Sequence, residues 1–254
     1  YDRTRNPADG VVELDFAAAP TLSLEKIPGF GTDADFDVVV AVDGRSAVLT
    51  AETPDGLALR RELAFENGYR LAVSDTFTNR AAAAVSLPAY AIRLGPVHRL
   101  GAGGSDTDLA IDAKVSENGK TDIAEINSAT KDHGFAALFG AAGGGCRAAT
   151  ISPAAPATTS AAKPGEIHWA AVRERFFLQI LTPAAPAAGL SVEASRRLDA
   201  PAGRLELASA SASLLQAEAS IAPGAGFQRG YSLFVGPRKL SELRKIGPDY
   251  VQIM

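Results

Sequence analysis

The strongest constraint on this chain is a succession of short apolar runs with a period of two, separated by turn signals. Runs at 11–16, 22–27, 35–42, 46–53, 57–65 and 69–79 follow one another, with Asp43-Gly44 and Pro54-Asp55-Gly56 placed where hairpins turn. Strand side chains alternate between faces, so each run can bury one face and leave the other to solvent. Many such runs without a long helical pattern predict a mainly β chain, an antiparallel sandwich. With 254 residues the chain is long enough for a sizeable core, and it reads as one domain over 1–254. Residues 1–10, broken by Asn6-Pro7 and Asp9-Gly10, read as a polar lead-in.

One hairpin can be taken to register. Leu57, Leu59, Leu63 and Phe65 alternate, as do Tyr69, Leu71, Val73 and Phe77. A two-residue Asn67-Gly68 turn would set Phe65 against Arg70 and split the two apolar sets between faces. A three-residue loop, Glu66-Asn67-Gly68, keeps them together by pairing Phe65 with Tyr69, Leu63 with Leu71 and Leu57 with Phe77. That loop is the expectation. Further strands are expected around 84–87 and 90–94, before a glycine-rich bend. Two more, at 108–115 and 121–126, flank Glu117-Asn118-Gly119-Lys120, and another spans 192–198. Residues 151–166, rich in Pro, Ala, Thr and Ser, are expected as a mobile loop. Between 204 and 221 the apolar phase shifts twice, which predicts bulges or a break.

The chain has one Trp, eleven Phe and five Tyr, so its core must form around few large rings. IHWAAVRERFFLQILTP, at 167–183, holds Trp169, Phe176 and Phe177 and reads as a buried strand with an irregularity near Arg173 to Arg175; these three rings are the expected core anchors. The one helix expected spans 238–246. It follows Gly236-Pro237, shares a packing face of Leu240, Leu243 and Ile246, and ends at Gly247-Pro248. Its cations, Arg238, Lys239, Arg244 and Lys245, suit a solvated face with Arg244 and Lys245 at the dipole's negative end. A membrane-proximal or partner surface is the alternative for the same residues.

Signals for chemistry are sparse. A net charge of −4 with mixed signs gives no basic face for nucleic acid. Cys146 is the single cysteine, which rules out an internal disulfide and a thiolate metal cluster. The longest apolar stretch, 134–146, is too short and too glycine-rich for a membrane span. The chain opens at Tyr1 with no signal-peptide pattern and reads as a soluble piece excised from a longer protein. His98, His133 and His168 are each alone in their segments. Ser105-Asp106-Thr107-Asp108 lacks the glycine and terminal glutamate of a calcium loop. Neither Gly101-Ala102-Gly103-Gly104 nor Gly143-Gly144-Gly145 has the form of a phosphate-binding loop. Asp33, Asp35 and Asp37 alternate and would share an exposed face. No catalytic residue, cofactor or metal site is expected.

Two stretches resemble a known family. Trp169-Ala170-Ala171-Val172, then Arg175-Phe176-Phe177 and 180–183, resemble a stretch in the large periplasmic domain of YidC-type membrane protein insertases. Tyr231-Ser232-Leu233-Phe234-Val235-Gly236-Pro237-Arg238 resembles that domain's closing strand and terminal helix, and 57–79 its alternating hairpin. The resemblance runs from 57 to 254 and is weak over 11–53. It implies a large β-supersandwich of the galactose mutarotase-like kind, on the periplasmic side of the bacterial inner membrane. It also implies a non-catalytic accessory role in inserting and folding membrane proteins. The implied partners are the membrane domain of the same chain, Sec translocon components and nascent membrane proteins, with anionic lipid contact open to the terminal helix. Two other classes share such folds: a sugar epimerase using histidine and carboxylate, and a carbohydrate- or peptide-binding sandwich whose groove would draw on Tyr90, Phe135, Phe139 and Phe227.

Overall fold

The computed structural model describes residues 20–98, 109–127, 158–199 and 204–254. The expected lead-in and the strand at 11–16 lie outside these residues. The first hairpins form as their turn chemistry requires. Strand β1 (Leu24–Glu25) is only two residues long, because Leu22 (φ 69°) and Lys26 (φ 66°) bend the chain on either side. Strands β2 (Asp37–Val40), β3 (Ser46–Glu52), β4 (Leu57–Phe65) and β5 (Arg70–Asn79) then form an antiparallel meander.

The β4–β5 hairpin has a three-residue loop, but one residue further along than expected. Glu66 donates to the Arg70 carbonyl at 2.9 Å, leaving Asn67, Gly68 and Tyr69 in the loop. Phe65 faces Leu71 and Leu63 faces Val73. The expected faces hold, and the register is displaced by two. Gly68, at φ +78°, supplies the left-handed residue.

Strands β6 (Val85–Leu87), β7 (Tyr90–His98), β8 (Ala110–Glu117) and β9 (Lys120–Asn127) follow. The β8–β9 connection is a two-residue turn with Asn118 at φ 52° and Gly119 at φ 76°, the pairing such turns favour. Strands β10 (Thr158–Arg173) and β11 (Phe177–Pro183) form a hairpin. Here two expectations change. The irregularity at 173–175 is a complete reversal, held by Glu174, whose Oε1 accepts the Phe176 and Phe177 N–H groups at 2.7 and 2.8 Å. Residues 158–166, expected in a mobile loop, form the first half of β10. Small residues meet on both strands there, and the ladder to β12 (Ala187–Asp199) carries Pro164 next to a register shift.

Strand β13 (Arg204–Gln216) shows the anticipated phase breaks as register shifts and ends before β14 (Ala219–Ile221). On its β7 side the shift falls at Gly95 (φ +92°), where an added Cβ would lie 3.0 Å from the Ala210 carbonyl oxygen. Strand β15 (Gly226–Pro237), helix α1 (Leu240–Ile246) and a 3-10 turn (Pro248–Ile253) close the chain.

Among the described residues thirteen strands make one sheet, in the order β1-β7-β13-β12-β10-β11-β15-β5-β4-β3-β2, with β8 paired to β10 and β9 to β8. β10 pairs first with β12 and then with β11, so the sheet folds over at this strand. The two halves enclose the main core: Leu59, Phe77 and Tyr231 from one, Ile92, Leu94 and Leu214 from the other. The protein is mainly antiparallel β with a short C-terminal helix.

Candidate functional site

The terminal elements cover a patch that the sheet's alternation leaves on its outer face. In β15, Tyr231 and Leu233 point into the main core, so Phe234 points out; in β10 and β11, Trp169, Leu178 and Ile180 do the same. An aromatic and aliphatic patch of this size cannot stay in water, and α1 with the 3-10 turn closes it. Leu243 and Ile253 are buried there, with Ile246 and Tyr250 packed alongside. The Trp169 and Tyr250 rings lie 5.3 Å apart, and the Tyr250 hydroxyl reaches Thr182 at 3.0 Å. Two polar straps hold the segment from the sides: Lys114 Nζ to Asp249 at 2.5 Å, and Arg238 Nε to the Ile253 carbonyl at 3.3 Å. Burial raises the Tyr250 pKa, with the Thr182 hydrogen bond opposing the shift.

The expected helix residues therefore divide. Leu243 is fully buried and Ile246 joins the same cluster, while Leu240 is half-buried outside it. The helix begins at Leu240 rather than at 238. The ladder carries through Pro237 opposite Phe177, and Arg238 N–H still donates to the Phe176 carbonyl at 2.7 Å. Lys239, Arg244 and Lys245 face solvent; Lys245 lies 2.8 Å from Glu242, and Arg238 turns inward. Trp169 is buried, but Phe176 is not the core anchor expected: it is 55% exposed at the tip of the β10–β11 turn, with the Arg175 guanidinium 5.2 Å from its ring centroid. Phe177 is half-buried. The reversal at 174–176 puts Phe176 outside both faces of the sheet, beside the strand-to-helix junction.

A second polar site, missed in the sequence, lies inside the main core. Arg61 donates from Nε and a terminal amine to the two Asp75 oxygens at 2.6 and 2.7 Å, and from its other amine to the Leu22 carbonyl at 2.6 Å. Asp75 is fully buried. The Tyr90 and Tyr231 hydroxyls lie 3.4 Å apart beside this pair. Burial drives the Tyr231 pKa far above its ordinary value, reinforced by Tyr90, and burial raises Tyr90 as well. Burial alone would lower the Arg61 pKa, but the Asp75 carboxylate outweighs it and the guanidinium stays charged. Both Asp75 oxygens are taken by the guanidinium, which suits a structural lock better than a base awaiting substrate. A second buried pair, Arg173 and Asp112 at 2.7 Å, joins the paired strands β10 and β8.

The other candidates do not gather. His98 lies exposed at the end of β7, and His168 Nε2 meets the Ser116 hydroxyl at 2.7 Å between β10 and β8. Asp33, Asp35 and Asp37 are exposed, and only Asp37 lies in a strand. Tyr90, a candidate groove aromatic, is buried against Phe77, and Phe227 is half-buried. His133, Cys146, Phe135, Phe139, the 105–108 stretch and both glycine clusters lie outside the described residues. Among the described residues, no three of His, Cys, Asp or Glu are grouped to hold a metal, and no helix is long and apolar enough to cross a membrane.

A family model described as the YidC periplasmic domain matches residues 32–254. A comparison with curated proteins gives no match. Among solved structures, the chain is similar to a putative aldose 1-epimerase from Escherichia coli K12, at 12% identity and a TM-score of 0.47, covering 80% of this chain and 69% of that one. It is also similar to an aldose epimerase homologue from C. elegans, at 13% identity and a TM-score of 0.44, covering 84% and 71%. A galactose 1-epimerase from Lactobacillus acidophilus matches at 14% identity and a TM-score of 0.39, covering 91% and 83%. Likenesses of this order carry no argument about chemistry.

Proposed function

The chain belongs to the YidC periplasmic domain family, and from that premise we propose that it is a non-catalytic docking module that assists membrane protein insertion and folding. Membership implies the periplasmic side of the membrane and linkage to a membrane domain in the parent chain. The docking reading adds that the module contacts Sec translocon components or their nascent clients. One observation supports it most directly: the terminal helix is fastened to the outer face of the sheet through Leu243, while Lys239, Arg244 and Lys245 face solvent. A connector held this way transmits position between the sheet and whatever the helix meets, because its packed side cannot slide without opening the Trp169 cluster. Exposed Phe176 and Arg175 beside the same junction give that rim an amphipathic character suited to anionic headgroups or a partner protein.

The test is co-purification of the full-length parent chain from membranes, with and without this domain. Loss of Sec components together with the domain is the expected result. Unchanged recovery would overturn docking and turn attention to a spacer or client-holding role. Heat on titrating aldoses into the domain, by calorimetry, would reopen a sugar-directed activity.

A further inference from the structure

Among the described residues, strand β2 is an open edge of the large sheet: its partner on one side is β3, and the sheet order ends there. It carries Asp37-Val38-Val39-Val40, and Val38, Val39 and Val40 are 55%, 68% and 60% exposed. The direction of its free backbone follows from the ladder. Ala41 donates to the Ser46 carbonyl at 2.9 Å, so by antiparallel alternation Val39 and Asp37 also bond to β3. The next ladder agrees: Phe65 donates to the Arg45 carbonyl at 2.8 Å, which gives Ala47 and Leu49 to β4 and leaves Val48 and Thr50 for β2. The N–H and C=O groups of Val38 and Val40 therefore point away from the sheet. Soluble sheets usually blunt such an edge with lysine, proline or a covering element; the three valine positions hold no lysine or proline, and among the described residues no strand pairs with their outer side.

We propose that β2 is a strand-addition site for an extended apolar segment with basic flanks, which would hydrogen-bond in register to Val38 and Val40. Charge around the strand defines the occupant. Asp33, Asp35 and Asp37 precede the valines and Asp43 follows them, all exposed, with Arg45 the cation close by. A second copy running antiparallel about Val39 would bring Asp35 against the other copy's Asp43, a like-charge contact at both ends of the pair. Lysine or arginine on both sides of an apolar core meets the same carboxylates favourably. Main-chain bonds would supply the affinity, and Val38 and Val40 would select apolar side chains on the face they share with Ala47 and Leu49. The site is separate from the terminal-helix reading and stands or falls independently of it.

The probe is a capped peptide, Lys-Lys-Val-Thr-Val-Val-Val-Lys-Lys, titrated into the protein while backbone amide exchange is followed by NMR. Expected is about tenfold or greater slowing at Val38 and Val40, with Val39 unchanged because it is already bonded to β3. A peptide with glutamate in place of every lysine should bind at least about tenfold more weakly, and salt should weaken the basic peptide. Val40→Pro removes one outward donor without touching the β3 ladder, and should abolish the slowing at Val38. Should that variant also loosen Val39, a peptide N-methylated on the residues facing β2 makes the same test on the unaltered protein. No change at Val38 and Val40, or equal binding of the acidic peptide, overturns the proposal. Protection of both amides that grows with protein concentration and no peptide present would assign the edge to a second copy, and overturns it too.

Discussion

Replacing Asp75 by Asn should be among the most damaging single changes in the protein. Asp75 is fully buried and Arg61 nearly so, and the guanidinium has its Nε and one amine on this carboxylate. The amide keeps the shape but removes the charge and turns an N–H group toward donors. Arg61 then remains charged in the core with two neutral acceptors, the Leu22 carbonyl and the single amide oxygen. Losing one side of a buried pair costs about 3–5 kcal/mol. Arg61→Met should cost about as much, since it strands a carboxylate instead. The double change Arg61→Met with Asp75→Leu leaves no charge behind and fills similar volume. It should therefore recover most of the loss and lie within about 1–2 kcal/mol of the parent. Urea unfolding followed by Trp169 fluorescence and by far-UV circular dichroism measures all four proteins, and coincident curves secure the two-state reading. Asp75→Asn costing less than about 1 kcal/mol, or a double variant as unstable as the two single losses summed, would refute the lock.

Leu243→Ala should cost about 2–5 kcal/mol and Leu243→Asp more, with the Trp169 emission shifting to the red as the terminal elements lift; an unshifted spectrum would count against the packing. The tyrosines set an alkaline limit. Tyr90, Tyr231 and Tyr250 all titrate above their ordinary value in the fold, so their contribution is complete below the unfolded tyrosine pKa of about 10 and is lost as pH rises beyond it. Urea midpoints should be level near neutrality and fall above about pH 10, and Tyr231→Phe should make that fall shallower. Gly236→Ala would place a methyl 2.7 Å from Tyr69 Cγ and 2.9 Å from the Phe234 ring, and a loss of about 1–3 kcal/mol in the same assay is expected. Phe176→Ser combined with Lys239→Glu should leave the urea midpoint unchanged, since both side chains are exposed, while reducing co-sedimentation with phosphatidylglycerol vesicles.

The sheet architecture was legible because alternation and turn residues act locally. Leu57 to Phe77 showed its buried face, and Asn118-Gly119 its turn, without knowledge of anything distant. What failed were features decided by distant partners. The run 158–166 looks like a linker until β12 arrives to pair with it, and Phe176 looks like core until Glu174 caps the reversal that turns it outward. The hairpin register is the most instructive case. A shift by one residue flips every side chain to the other face and is excluded by the apolar pattern. A shift by two preserves every face, so hydrophobicity cannot tell the two registers apart. Arg61 and Asp75 can. Both sit on the apolar phase of their strands, where a lone charge would be buried without a partner. The register that pairs Phe65 with Tyr69 would leave Arg61 opposite Val73 and Asp75 opposite Leu59, whereas the observed one sets them directly across from each other. The two charges that break the apolar pattern therefore favour the observed register, because directly opposed they form a two-point pair that a two-residue shift would leave stretched along the diagonal.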